Sequence, residues 1–282
     1  MDRPIVTFTS DFGTSDGYAG AMKGAVLGVN SAVAVVDVSH DVPPQDVAHG
    51  AFVLASGCRS FPPSAIHVCV VDPGVGTERK ALLLNTPLGR FLAPDNGLLT
   101  MVLAQYCRDS GTDPPTGPAR AVMAPGQGKV PAGCNAFSLD RPEYWRHRVS
   151  ATFHGRDVFA PVAGHLSLGA RSEDVGSEVD DIVWLNFPSP EKRDGAIEGS
   201  VVYVDRFGNL TTNIRRSDLP GGKIEAEVGG ATVEGLSSAY ADGPDLVTLI
   251  GSEGFLEVAE RNGNAARRLA VGVGTPVRVT SS

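Results

Sequence analysis

Three short apolar runs constrain the first half of this 282-residue chain: "IVTFTS" at 5–10, "AVAVVDV" at 32–38 and "AIHVCVV" at 65–71. Between them lie "YAGAMKGAVLGV" (18–29) and "DVAHGAFVLASGCRSF" (46–61), whose apolar residues recur with helical spacing. Near-continuous Val/Ile/Ala strands separated by amphipathic helices predict a parallel sheet covered on both faces. The first helix is expected to enter through Ser15 or Asp16 as N-cap.

A hairpin is expected at "ALLLNTPLGRFLAP" (81–94), a helix at "GLLTMVLAQYC" (97–107) and another at "RDVFAPVAGHLSLGA" (156–170). Residues 108–138 are rich in Pro, Gly and small side chains and follow neither period, so they read as an inserted loop. After residue 196 the rhythm changes to short strands and turns: "GSVVYVDRFGNLTTNI", "KIEAEVGGATVEGL", "DLVTLIGSEGFLEVAE" and "TPVRVTSS". The expectation is an α/β domain over 1–180, with a mostly parallel sheet flanked by helices. A connector at 181–195 and a smaller all-β barrel over 196–282 complete it.

Thirty-two Asp and Glu against 24 Lys and Arg leave a net charge of −8, which repels phosphate backbones and argues against nucleic acid as a partner. No run reaches the roughly 20 apolar residues that span a membrane, and the N-terminus lacks the pattern of a signal peptide. Cys58, Cys69, Cys107 and Cys134 show no CxxC spacing, so no metal site is expected and a reduced, cytoplasmic protein is.

In an open parallel sheet, ligands collect outside the carboxyl ends of the strands. Asp11, Asp41 and Asp72 all fall there. Asp41 reads as a turn residue. Asp72 stands apart, because "VVDPGVGTER" brings a cation, Arg79, back within one turn of it. An exposed pair of this kind contributes under about 1 kcal/mol, so stability is a poor reason to end a buried strand on a charge. "SATFHGRD" (150–157) adds an imidazole, His154, at the start of a helix. A carboxylate, a guanidinium and an imidazole at neighbouring strand ends suit the activation of a water.

Six blocks in order, "FTSDFGTSDGYAGAMKG", "VVDPGVGTER", "APDNGLL", "SATFHGRD", "DRFGNLTTNI" and "GSEGFLEVA", resemble the S-adenosylmethionine hydroxide adenosyltransferases, relatives of the fluorinases and chlorinases. The resemblance covers nearly the whole chain outside 108–138. It implies attack of water or hydroxide on C5′ of S-adenosylmethionine, releasing adenosine and methionine, with no metal or redox cofactor. It also implies a homotrimer with sites at subunit interfaces.

By motif, Asp72, Arg79 and His154 match the family's water-positioning set, and Asp11 matches the carboxylate on the ribose hydroxyls. Asp205, Phe207 and Asn209 match contacts to the methionine end and the adenine; Ser252 and Glu253 match the loop near the methionine carboxylate and the adenine. Asn262 and Ala265 match a segment meeting the adenine through backbone groups. The halogenases carry Arg at the Glu253 position and an uncharged residue at that of Asp72, and fluorinases have a serine where this chain has Gly155. A halide about 4 Å from an ionised Asp72 would meet a repulsion of about 4 kcal/mol at an effective dielectric near 20, unless Arg79 cancels it. A non-catalytic S-adenosylmethionine or adenosine sensor would need only Asp11 and the barrel contacts.

Overall fold

The computed structural model describes residues 3–112, 116–117, 123–243 and 245–281. The chain divides into two compact units: Met1–Pro115 with Pro125–Leu185, and Thr116–Ala124 with Asn186–Ser282.

In the first unit, strands β1 (Ile5–Ser10), β2 (Ala34–Ser39) and β3 (Ile66–Val70) alternate with helices α1 (Tyr18–Val29) and α2 (Val47–Cys58). The hairpin β4 (Ala81–Thr86) and β5 (Gly89–Pro94) follows, then α3 (Thr100–Asp109). Strands β6 (Pro125–Lys129) and β7 (Asn135–Ser138), helices α4 (Ala160–Ser167) and α5 (Ser172–Val175), and strands β8 (Ser177–Val179) and β9 (Asp181–Leu185) complete it. The main sheet runs β2-β1-β3-β5-β4-β7-β8. Its first four strands are parallel neighbours, and the pairs from β5–β4 onward are antiparallel.

Val6 and Phe8 of β1 and Ile66, Val68 and Val70 of β3 pack with Met22, Val26, Val162 and Leu166 of α1 and α4. A Cβ on Gly164 would lie 2.7 Å from Val29 Cβ, so the glycine is what lets α4 sit this close to α1. The alternate residues of the same strands include Thr7 and His67, joined by a 2.8 Å hydrogen bond. Burial pushes the pKa of His67 down to about 4, so this imidazole is a neutral core group stacked on Phe91.

Three local expectations need correction. Helix α1 starts at Tyr18 with Gly17 as N-cap and no side-chain cap bond, so neither Ser15 nor Asp16 plays that part. The segment 108–138 is not a patternless loop where it is described: α3 extends to Asp109, and Pro125–Lys129 and Asn135–Ser138 are strands. Residues 113–115 and 118–122 of it lie outside the described residues. The stretch 181–195 begins with a strand, Asp181–Leu185, paired antiparallel to Pro125–Lys129.

Among the described residues the second unit is all-β apart from one short helix. Its longer strands are β10 (Ala196–Val204), β11 (Leu210–Arg215), β12 (Ile224–Val228), β13 (Ala231–Glu234), β14 (Leu246–Ile250), β15 (Phe255–Glu260) and β16 (Pro276–Ser281), with α6 (Ala265–Leu269) before the last and a short strand, Glu191–Arg193, paired antiparallel to β10. They pair in the order β13-β12-β16-β10-β11-β15-β14. The amide of Ser237, just past β13, donates to Thr248 O of β14 at 2.8 Å, so the two edges approach and the sheet is a nearly closed barrel. Leu210, Ile214, Ala226, Leu256, Val258 and Val279 fill its interior.

The chain enters α4 through a π-helical turn, Gly155–Phe159, whose Asp157 is fully buried. Its carboxylate accepts from Arg156 Nε at 2.7 Å, Arg156 Nη2 at 2.8 Å and the Ser150 amide at 2.9 Å. Burial opposes the charge, but these hydrogen bonds outweigh it and hold the pKa below the ordinary aspartate value. A depressed folded-state pKa contributes stability above the unfolded value of about 4, and that contribution is lost as pH falls through the folded value. Asp157→Asn should therefore cost about 1–3 kcal/mol at pH 7. In calorimetric melts, the gap in Tm between wild type and variant should close as the medium is acidified below about pH 4.

Candidate active site

The turn after β3 is built by its own backbone. Val75 N donates to Asp72 O at 3.2 Å and Thr77 N to Gly74 O at 3.2 Å, while the Thr77 hydroxyl donates to Gly74 O at 2.7 Å. Gly76 has φ +77°, and a Cβ there would run into the carbonyl oxygen of Ala151. Only glycine allows this turn to press against the segment that carries His154. The "APDNG" motif holds the ends of the turn: Asn96 Nδ2 donates to Val71 O at 2.9 Å, and Asp95 N donates to Lys80 O at 2.9 Å.

These constraints bring Asp72, Arg79 and His154 into one hydrogen-bonded group. Arg79 Nε donates to Asp72 Oδ1 at 2.9 Å and Nη2 to Asp72 Oδ2, the two-pronged geometry that a guanidinium makes with a carboxylate. Nη2 also donates to His154 Nδ1 at 2.9 Å. The pair is not the weak surface bridge expected from spacing: the side chains of Asp72 and Arg79 are 5% and 10% exposed. Removing one member of a buried pair strands the other at a cost of about 3–5 kcal/mol.

An arginine nitrogen can only donate, so His154 Nδ1 must offer its lone pair, and the neutral ring carries its proton on Nε2. Burial and the positive charge of Arg79 both lower the pKa of His154, with Asp72 and Asp157 pulling the other way. The imidazole is thus held neutral and presents an N–H donor. Asp72, with one lone pair of each oxygen still unused, is the acceptor of the group.

Asp11 follows β1. Its Oδ2 accepts from the Gln45 amide at 2.8 Å, and among the described residues Oδ1 has no protein donor. Phe12 beside it packs against Phe153, the neighbour of His154, with ring centroids 5.6 Å apart, and Tyr18 closes the cluster at 5.9 and 5.3 Å from the two rings. The aromatic contact joins the Asp11 segment to the His154 segment, which spacing in the sequence did not reveal.

The other expected residues belong to the barrel unit. Asp205 Oδ1 accepts from the amides of Phe207 at 2.9 Å and Asn209 at 2.8 Å, and Oδ2 from Asn209 Nδ2 at 2.8 Å. Asn209 therefore braces Asp205, and one lone pair of Oδ2 stays open. Phe207 is 73% exposed and presents a bare ring face. Gly208, at φ +86°, packs directly on the Asn264 side chain, and Ala266 N donates to Gly208 O at 3.0 Å, so the 205–209 turn meets the segment of Asn262 and Ala265. Asn262 holds φ +57° and Ala265 is buried. Ser252 and Glu253 lie in the turn joining β14 to β15, closed by Gly254 N to Gly251 O at 2.9 Å. Glu257 of β15 is half-buried, and no sequence motif marks it. Burial raises its pKa and the charges of Asp205 and Glu253 add to that, against a 3.2 Å bond from Tyr240. Among the described residues no group of three His, Cys, Asp or Glu side chains is placed to hold a metal ion.

Comparison with known proteins shows the family. Residues 6–176 match the family model of the SAM hydroxide adenosyltransferase N-terminal domain, and residues 199–278 that of the C-terminal domain. The (R)-S-adenosyl-L-methionine hydrolase of Salinispora arenicola is 37% identical over 99% of this chain and 98% of its own. Its namesake from Methanocaldococcus jannaschii is 33% identical over 95% and 92%. A fluorinase from Actinopolyspora mzabensis is more distant, 27% identical over 99% and 98%. Among solved structures, an uncharacterised conserved protein from Thermotoga maritima superposes with a TM-score of 0.82 at 30% identity, covering 98% of this chain and 99% of that one. Both domain models lie in order along a chain whose strand ends carry the Asp–Arg–His group, and the protein belongs to the SAM hydroxide adenosyltransferase family.

Proposed function

We propose that this protein hydrolyses S-adenosyl-L-methionine to adenosine and L-methionine. The observation that carries the reading is the buried group in which Arg79 holds an acceptor, Asp72, and a neutral donor, His154. A water donating to Asp72 and accepting from His154 Nε2–H keeps one lone pair for C5′. The O–C5′ bond forms as the C5′–S bond breaks, the electron pair stays on sulfur as the methionine thioether, and the proton passes to Asp72 and then to solvent. A sulfonium needs no acid to leave, so alignment and desolvation of the nucleophile are what the side chains supply.

The electrostatic case against a halide is weaker than the sequence suggested, because Arg79 offsets the charge of Asp72. The hydrogen-bond polarity decides instead. Asp72 offers only acceptors, which suit a water and leave a halide without a donor on that side. The hydrolase relatives at 33–37% identity support the same reading over the fluorinase at 27%.

In this proposal Asp11 holds the ribose hydroxyls through its open Oδ1, Asp205 the ammonium of the methionine end, and Phe207 a face of the ligand. Asn209 braces Asp205; Ser252, Glu253, Asn262 and Ala265 complete the binding surface. The reaction draws on side chains alone, in a cytoplasmic homotrimer with sites at subunit interfaces. Light scattering should then return about three times the 29.4 kDa of one chain, and a monomer would remove the shared-site part of the proposal.

Incubation with S-adenosyl-L-methionine containing both sulfonium epimers should release adenosine and methionine in equal amounts on chromatography. A 5′-halogenated adenosine formed in chloride buffer would reassign the chain to the halogenases. Asp72→Asn should lower kcat by about 10²–10⁴-fold while calorimetry shows substrate binding within a few-fold of wild type. Protonation of His154 removes the acceptor that Arg79 uses, so activity should be lost as pH falls through its lowered pKa. The acid limb of kcat should sit below pH 6.5 and vanish in His154→Gln. An acid limb above that value would contradict the assigned geometry.

A further inference from the structure

A second hydrogen-bonded chain lies at the same carboxyl end of the sheet, on the neighbouring strands β1 and β2. Lys23 Nζ of α1 donates to Asp37 Oδ2 of β2 at 2.5 Å, and His40 Nε2 donates to Asp37 Oδ1 at 3.1 Å. With Nε2 protonated, the lone pair of His40 Nδ1 is left for the Ser10 hydroxyl, 2.7 Å away. Ser10 Oγ in turn accepts from the Phe12 amide at 3.4 Å.

The connectivity is that of a serine–histidine–aspartate relay, but Ser10 is fully buried and His40 is 4% exposed, so this hydroxyl cannot meet a substrate. What the chain does meet is the backbone around Asp11. The His40 carbonyl accepts from Gly13 N at 2.7 Å and Ser10 O from Val42 N at 3.3 Å. The residues before and after Asp11 are therefore tied to His40 and its neighbours, and the Asp11 carboxylate itself to the Gln45 amide, whose residue holds φ +66°.

We propose that the Lys23–Asp37–His40–Ser10 chain is a positioning device for Asp11, aiming its open oxygen at the hydroxyl pair of a nucleoside substrate. His40 is the central positioning residue. The proposal rests on the reading of Asp11 as the ribose contact. The inner half of the chain, Ser10 and His40, is buried and hydrogen-bonded and so has one arrangement, and one missing link there lets the carboxylate sample others. Misplacing a hydrogen-bonding carboxylate erases discrimination for the hydroxyl more than it slows bond breaking.

The test compares kcat/KM for S-adenosyl-L-methionine with that for its 2′,3′-dideoxy analogue, in full-length wild type, Asp11→Ala, His40→Ala and Ser10→Ala. Ser10→Ala removes a single buried oxygen and serves if His40→Ala fails to fold. The expected result is that Asp11→Ala, His40→Ala and Ser10→Ala each reduce the preference for the hydroxylated substrate. For Asp11→Ala and His40→Ala the reduction should be at least about tenfold. The loss should lie mainly in KM, with kcat within a few-fold. A His40→Ala or Ser10→Ala protein that melts earlier but keeps the wild-type preference would show a merely structural chain and overturn the proposal. If Asp11→Ala also keeps the preference, the ribose assignment of Asp11 falls, and the positioning proposal falls with it.

Discussion

Everything at the carboxyl end of β3 depends on where one guanidinium is held. Arg79 spends its Nε and Nη2 protons on Asp72 and His154, and those two residues come from segments 82 positions apart in the chain. The guanidinium grips the carboxylate with two donors in a site where it is 5% exposed, and it forces the imidazole to present its proton outward. Acceptor and donor are thereby assigned by one cation. The surrounding structure serves this placement. Gly76 lets the turn close on Ala151, Asn96 ties off the strand end, and the buried Asp157 carboxylate anchors the loop from which His154 projects.

Much of the first unit was legible because burial on both faces of a parallel sheet leaves continuous apolar runs, and β1, β2 and β3 show them. The carboxylate at the end of β3 stood out for the same reason, as a charge where the pattern calls for an apolar residue. Its burial was not legible. Spacing placed Asp72 and Arg79 within reach of each other, but the partners that close over them, Phe159 among them with its ring centroid 5.6 Å from the guanidinium carbon, come from far along the chain.

Other features left no periodic signal. "PGQGK" at 125–129 looks like a loop because it has no apolar alternation, yet it pairs with Asp181–Leu185 through backbone groups. Gly128 is bare so that the Trp184 indole can lie against the strand; a Cβ there would be 2.6 Å from Trp184 Cδ1. The π-helical turn at 155–159 was read as ordinary helix, since one extra residue per turn scarcely changes an apolar pattern. In the barrel, Asn209 braces Asp205 through a local bond between residues four apart that only the turn geometry reveals.

The central claim is that solvent, readied by Asp72 and His154, displaces sulfur at C5′. Turnover in water enriched in oxygen-18, followed by mass spectrometry of both products, tests it most directly. The account predicts that the heavy oxygen appears in the 5′-hydroxyl of adenosine and nowhere in methionine. Heavy oxygen in methionine, or adenosine released without it, would contradict the account.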